Sequence, residues 1–325
     1  MSSAGYGTTY GPVPSRRFGR SLGINNIPPK ICSYSCVYCQ VGRTVQMRTE
    51  RSAFVGARGI AAAVRQRVDA ARRAGEAVDY LSFVPDGEPT LDDDLLCAIR
   101  LLRPLEIPIA VITNGSLLSR VDVRQALAAA DHVSVKVDAV REDAWRGVNR
   151  PHRRLDLETV LAGMKAFASS FDGTLSTETM LVGGVNDDEE ELRATAAFVG
   201  ELAPRTAYVA VPTRPPAESW AHPPTDAAVA RAYEIFRSFH PRVELLLGYE
   251  GDAFASTGDA VADLLSITAV HPMREEAACR FLDRGGLPRT ALDGLVQEGR
   301  MAQVSYGPHR YYVRPVQRRS RERSH

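Results

Sequence analysis

The sequence predicts an α/β protein, a partial (β/α)6 TIM-like barrel followed by a small winged helix-turn-helix domain, on three observations. Apolar runs rich in β-branched and aromatic residues alternate with helical patterns from about residue 78 to 247, the spacing of β/α units that build a parallel sheet. No linker-like shift in composition interrupts them before about residue 250. Beyond residue 260 the rhythm changes to two short helices and an alternating stretch, the order of a winged helix-turn-helix. A doubly wound sheet is the alternative for the larger part.

In chain order, the first strand candidate is FGRSLGI at 18–24, followed by Pro28-Pro29, which excludes a helix there. A helical pattern at 57–75 leads to a strand at 79–84, and one at 91–103 to a strand at 107–112. Strands at 132–137 and 174–182 flank a helix at 157–171. The helix at 187–203 has acids in its first turns, where the helix dipole favours them, and leads to a strand at 206–211; a further strand is possible at 242–247. Helices at 273–286 and 288–299 and a hairpin around a Gly-Pro turn at 300–315 complete the pattern. The expected division is 1–250 for the barrel with an amino-terminal extension, 259–316 for the winged-helix-like domain, and 317–325 for a polar, basic, disordered tail.

With 325 residues, 44% hydrophobic and 24% charged, the chain can build one large core and a satellite, and disorder is excluded as its main state. A formal charge of +1 argues against a molecule that binds nucleic acid through its overall charge. No apolar run approaches the ~18 residues of a membrane helix, and the first residues lack the apolar stretch of a signal peptide, so no membrane partner and a cytoplasmic location are expected. Five cysteines are an odd number, and three fall within 32–39, which suits a reducing compartment and a metal better than a disulfide framework.

Cys32, Cys36 and Cys39 form C-x3-C-x2-C with Tyr38 just before the third. Three thiolates at this spacing can curl around one compact cluster, leaving one iron of a four-iron cube without a protein ligand. The plainer alternative is a structural zinc site, but such sites usually split their ligands into two pairs, and no second pair follows. Cys97 and Cys279 lie alone in helical patterns and read as core residues.

The motif resembles the signature of radical S-adenosylmethionine (SAM) enzymes. That resemblance implies a [4Fe-4S] cluster on Cys32, Cys36 and Cys39, SAM chelated at the open iron, and an electron donor such as flavodoxin or ferredoxin. It also implies reductive cleavage of SAM to a 5′-deoxyadenosyl radical that abstracts hydrogen from substrate. Asp86-Gly87-Glu88-Pro89, ending the second strand, resembles the family's GGEP motif, which holds the SAM amino group, with Asp86 where glycine is more usual. An ordinary strand-to-helix turn is its plainer explanation. The third strand ends in Thr113-Asn114-Gly115. On the fourth, Ser134, Lys136 and Asp138 alternate and so share one face, an arrangement that points to a polar interior because buried charges are expensive unless paired or in use. The resemblance implies SAM-ribose contacts from Ser134 and Asp138; Lys136, one of three lysines in the chain, pairs with the SAM carboxylate, substrate or Asp138. Met180 and Val182 match the segment that meets adenine, although a buried strand and turn explain them equally well. Arg214 sits where it could meet an anionic substrate.

A longer likeness, over roughly residues 10–215, is to the bacterial radical SAM group related to the tRNA wyosine-synthesis enzymes. Those enzymes attach pyruvate carbons to N-methylguanosine in tRNA and carry a second cluster on further cysteines, which this chain lacks. Over 259–325 there are eleven Arg against eight Asp or Glu, and Arg300, Arg310 and Arg314 interleave with Tyr306, Tyr311 and Tyr312, a pattern suited to phosphate contacts and base stacking. The leading expectation is a radical SAM enzyme acting on RNA, most plausibly tRNA, through that domain. The alternatives are a radical SAM enzyme acting on a peptide or small metabolite, with the winged helix docking a protein, and a non-catalytic iron–sulfur DNA-binding regulator.

Overall fold

Each strand rich in β-branched residues pairs with the next one along the chain. The computed structural model describes residues 7–248, 254–256 and 258–315. It begins with β1 (Thr9–Ser15) and β2 (Gly19–Ile24), then a long loop with the short pair β3 (Ile31–Cys32) and β4 (Gln46–Met47). There follow α1 (Ala57–Arg73), β5 (Tyr80–Phe83), α2 (Leu95–Leu102), β6 (Ile109–Thr113), α3 (Val121–Leu127), β7 (His132–Lys136), α4 (Glu142–Asn149) and α5 (Leu157–Ala168). Next come β8 (Thr174–Met180), α6 (Glu189–Leu202), β9 (Thr206–Ala210), α7 (Asp226–Phe239) and β10 (Val243–Leu246). The carboxyl-terminal unit holds α8 (Ala260–Thr268), β11 (Met273–Arg274), α9 (Glu275–Arg284), α10 (Thr290–Gln297), β12 (Ala302–Tyr306) and β13 (His309–Val313).

The main sheet has the order β1-β2-β5-β6-β7-β8-β9-β10, parallel throughout except for β1, which runs antiparallel to β2. Because strand order follows chain order from β2 onward, right-handed crossovers put the helices on one face, and the sheet has no point of reversal. That is not a doubly wound sheet. α1 shows why the helices form and dock: Ile60, Ala61, Val64, Val68 and Ala71 recur at helical spacing and are buried, while Arg65 and Arg72 lie outside. Each large apolar side chain buried this way contributes about 1.5–3 kcal/mol.

β1 was not expected, because Pro12 and Pro14 argue against a strand; an edge strand tolerates them. The strand expected to reach 182 ends at Met180, where Asn186 Oδ1 takes the Val182 N–H at 2.8 Å in place of a ladder partner. In the carboxyl-terminal unit, β11-β13-β12 form an antiparallel sheet against α8, α9 and α10. Its core is shared with the main sheet: Tyr10 and Val13 of β1 pack with Phe254, Leu264, Phe281 and Met301. Arg67 of α1 meets the buried Asp263 of α8 at 2.6 Å. The tail 317–325 lies outside the described residues. Among the described residues no helix is long and apolar enough to cross a membrane.

Candidate active site

The cysteine loop sits where parallel α/β folds collect ligands, beyond the carboxyl ends of the strands. It is fixed by backbone bonds to two elements: Ser35 N–H to Asn149 O at 3.0 Å and Val37 N–H to Val148 O at 3.0 Å at the end of α4, and Glu218 N–H to Val37 O at 3.0 Å. Gly87 lies against its start. A Cβ there would stand 2.0 Å from Ile31 O, and φ is +155°, so only glycine lets the two backbones approach. Lys30, at φ +63°, turns its Nζ to the buried Asp86 at 3.1 Å.

Cys32, Cys36 and Cys39 all line one cavity of about 340 Å³, together with Tyr38, Asp86, Gly87, Lys136 and Met180. Burial, the largest influence on each, pushes all three thiols up, Cys36 to about 12, so without a ligand they stay protonated near neutrality. Side-chain amides point at two of the sulfurs: Asn114 Nδ2 is 3.6 Å from Cys32 Sγ and Asn149 Nδ2 is 3.4 Å from Cys36 Sγ. Cys97 on α2 is exposed, and neither it nor Cys279 lines the cavity.

The remaining expected residues stand one layer behind the cavity wall. Glu88 is buried, and its carboxylate accepts from Thr90 N–H (3.1 Å), Thr90 Oγ1 (2.6 Å), Thr113 Oγ1 (2.6 Å) and Asn114 N–H (2.8 Å). It ties the ends of β5 and β6 together and leaves little capacity for a ligand amine. Pro89 follows it in a short buried turn. Ser134 is buried and meets Arg17 Nη1 at 3.5 Å. Asp138 accepts from Tyr38 Oη, from Asn149 Nδ2 at 2.7 Å and from Met180 N–H at 2.8 Å. Val182 packs in the main core, away from the cavity.

Sequence reasoning gave no role to Arg17, Glu178, Asn149 or His271. Glu178, on β8, pairs with Arg17 from the β1–β2 turn and with Lys136 Nζ at 2.7 Å. Burial opposes its charge, but Arg17 and Lys136 hold it down to about 2. Burial likewise opposes the Lys136 charge, and Glu178 and Asp138 outweigh it, so this lysine is an ammonium and not a free amine. Alternation with Met180 was the one signal that Glu178 faces inward. Arg214 does reach the cavity, bonded to Gln40 Oε1 at 2.8 Å and to His271 Nε2 at 3.1 Å, and His271 belongs to the carboxyl-terminal unit. Arg16, Arg17, Lys30, Lys136 and Arg214 face Asp86 and Glu178 across the cavity, a cationic excess suited to an anionic cluster or substrate.

The tyrosines expected to stack on bases have other partners. Tyr311 and Tyr312 are buried, and Tyr311 Oη donates to Thr213 O at 3.0 Å, while Tyr306 Oη donates to Pro212 O at 3.1 Å. Arg314 lies 3.7 Å from Asp86. These groups hold the carboxyl-terminal unit against the strand ends as a roof over the cavity.

A family model described as Radical SAM superfamily matches residues 26–196. The UPF0026 protein MJ1312 of Methanocaldococcus jannaschii is 42% identical over 314 residues, covering 96% of this chain and 97% of that protein. A probable GTP 3′,8-cyclase of Pyrococcus horikoshii is 29% identical over 187 residues, 57% of this chain and 55% of that one. Among solved structures, TYW1 with a lysine-pyruvate adduct bound matches with a TM-score of 0.51 at 16% identity, covering 68% of this chain and 74% of that one, a likeness of fold.

Proposed function

The chain belongs to the radical SAM superfamily and is an enzyme of it, with a [4Fe-4S] cluster and SAM as cofactors, and on that premise we propose that it takes hydrogen from an anionic substrate enclosed beneath its carboxyl-terminal unit. The observation that carries this reading is the cavity itself, lined by three half-buried cysteines and five cationic side chains. Cys32, Cys36 and Cys39 would hold the cluster. The Asn114 and Asn149 amides beside two of the sulfurs, and the surrounding cations, would fit the negative charge of such a cluster. When bound, the cluster supplies the electron that cleaves SAM to methionine and a 5′-deoxyadenosyl radical.

This chain's residues do the positioning. Lys136, a protonated ammonium on β7, attracts a carboxylate, and Tyr38, bonded to Asp138, fixes the polar edge beside it. The backbone around Asp86, Gly87 and Pro89 offers acceptors for an amine, while Glu88, Thr113 and Asn114 keep that turn in place. Ser134 and Asp138 support the ribose side from behind the wall, and Met180 gives an apolar surface for adenine, with Val182 behind it. Roofing by the carboxyl-terminal unit excludes water from a radical reaction. The enzyme standing of the family removes the non-catalytic regulator.

The same division of labour supports a domain boundary near residue 250 and a winged-helix character for 259–316, for which the order α8-β11-α9-α10-β12-β13 speaks. An RNA substrate, a tRNA, is the second reading. It is favoured by Arg310 exposed on the β12–β13 hairpin and Arg300 exposed just before it. In an anaerobic preparation with dithionite and SAM, wild-type protein should release 5′-deoxyadenosine and Cys36→Ala should lose both this activity and the cluster's visible absorbance. No release from a fully loaded protein would sink the reading. Mass spectrometry of tRNA nucleosides with and without the protein separates the two substrates: a missing modified nucleoside selects RNA.

A further inference from the structure

The outer side of the cysteine loop is a surface of unusual make-up. Segments 43–48, 150–154 and 218–220 surround the loop and are bonded to it: Thr44 Oγ1 to Tyr34 O at 2.6 Å, His152 N–H to Ser33 O at 2.8 Å, and Arg48 N–H to Cys32 O at 3.0 Å. Val45, Met47 and Trp220 on these segments are three of the eight large hydrophobics exposed among the described residues, with Val45 at 69%. Cations surround them. Arg43 and Arg150 both bridge the buried Glu218, Arg150 also lies 5.9 Å over the Trp220 ring, and Arg153 and Arg154 are exposed on the next turn. Glu50, just beyond the first segment, is exposed and paired with Arg154.

We propose that this face docks an acidic one-electron carrier protein of the flavodoxin or ferredoxin type, which delivers to the cluster the electron that the reaction consumes. The proposal rests on Cys32, Cys36 and Cys39 holding that cluster, and it assigns a surface that the cofactor chemistry by itself does not. In the transfer the carrier is oxidised by one electron and the cluster reduced by one, with no atom moved. Electron transfer weakens steeply with distance, and the segments that build this surface are bonded directly to the backbone of Cys32, Ser33 and Tyr34 in the cysteine loop. A small apolar centre within a basic ring is the form transient redox contacts take, because charge sets the encounter rate and little area has to be desolvated. The exposed aliphatic side chains favour a protein partner over RNA.

The test uses full-length, cluster-loaded protein and two variants, Arg153→Glu/Arg154→Glu and Val45→Asp, the second of which breaks no ion pair. Reduced flavodoxin and reduced ferredoxin serve as carriers. Affinity for the carrier at low ionic strength and the rate of cluster bleaching by it should both fall on the order of tenfold, with a flatter salt dependence. Bleaching by dithionite and dithionite-driven SAM cleavage should be unchanged, which also keeps this outcome separate from a failure of the enzyme assignment. Unchanged affinity and rate with both carriers would overturn the proposal, as would an equal loss with dithionite. Loss of tRNA binding with carrier reduction intact would give the face to RNA instead.

Discussion

Asn149 carries more of the site than its place at the end of α4 suggests, because its one amide group divides its two N–H bonds between Cys36 Sγ and Asp138. Replacing it with isosteric Leu should cost about 1–3 kcal/mol in urea unfolding, since Asp138 loses a buried donor. Loss of the N–H···S contact should also move the loaded cluster to a more negative potential in an EPR-monitored redox titration. An unchanged potential would show that the contact does not survive cluster binding. Glu178 gives a pH signature. Its carboxyl is held down to about 2 against an ordinary 4.5, so the stability from its pairing is complete above 4.5 and lost as pH falls toward 2. Glu178→Gln, leaving Lys136 and Arg17 buried together, should destabilise the ligand-free chain by about 3–5 kcal/mol at neutral pH, and the gap should narrow across that acid window in urea midpoints. A gap constant with pH would assign the acid transition to another group. That the three cysteines come together at one cavity was legible because a spacing of a few residues is local information. The Arg17–Glu178 pair was not, because the two stand 161 positions apart and neither neighbourhood marks the other.

The elements were easiest to read where one period dominates, as in α1 or in β7. They were hardest where a side chain replaces a backbone partner. Met180 ends β8 because Asn186 Nδ2 reaches Met180 O at 2.9 Å and Asp138 O at 2.7 Å, closing a turn that no hydrophobic pattern encodes. The β12–β13 hairpin shows the opposite failure: its alternation was read correctly, but alternation cannot say what its buried face meets. That face meets the main sheet. Tyr306→Phe/Tyr311→Phe removes two hydroxyls that bond Pro212 O and Thr213 O, leaving each carbonyl short of a donor. The double variant should lose about 2–3 kcal/mol and, more specifically, gain hydrogen exchange across 206–214 and 302–313 while α2 and α3 are unaffected. Uniform loss of protection would mean that the hairpin does not act as a separable roof.

For the whole molecule, a nearly neutral total conceals a cationic cavity and a basic face over the cysteine loop, so net charge was a poor guide to where anions go. Nor is the molecule two independent bodies in sequence. A chain cut after residue 248 should be less soluble and melt at a lower temperature than the full chain, because Tyr10 and Val13 would lose the core they share with α8 and α9. Equal melting temperatures would show that the shared core contributes nothing. That shared core also sets an order of assembly. Synthesis begins at the amino end, so β1 leaves the ribosome long before the residues that will cover it. The roof is made after the barrel strands, and until it docks the cavity that it shares with the cysteine loop stands open. Any cofactor that fills this cavity therefore has a natural window for entry, between the emergence of the barrel and the docking of the β12–β13 hairpin.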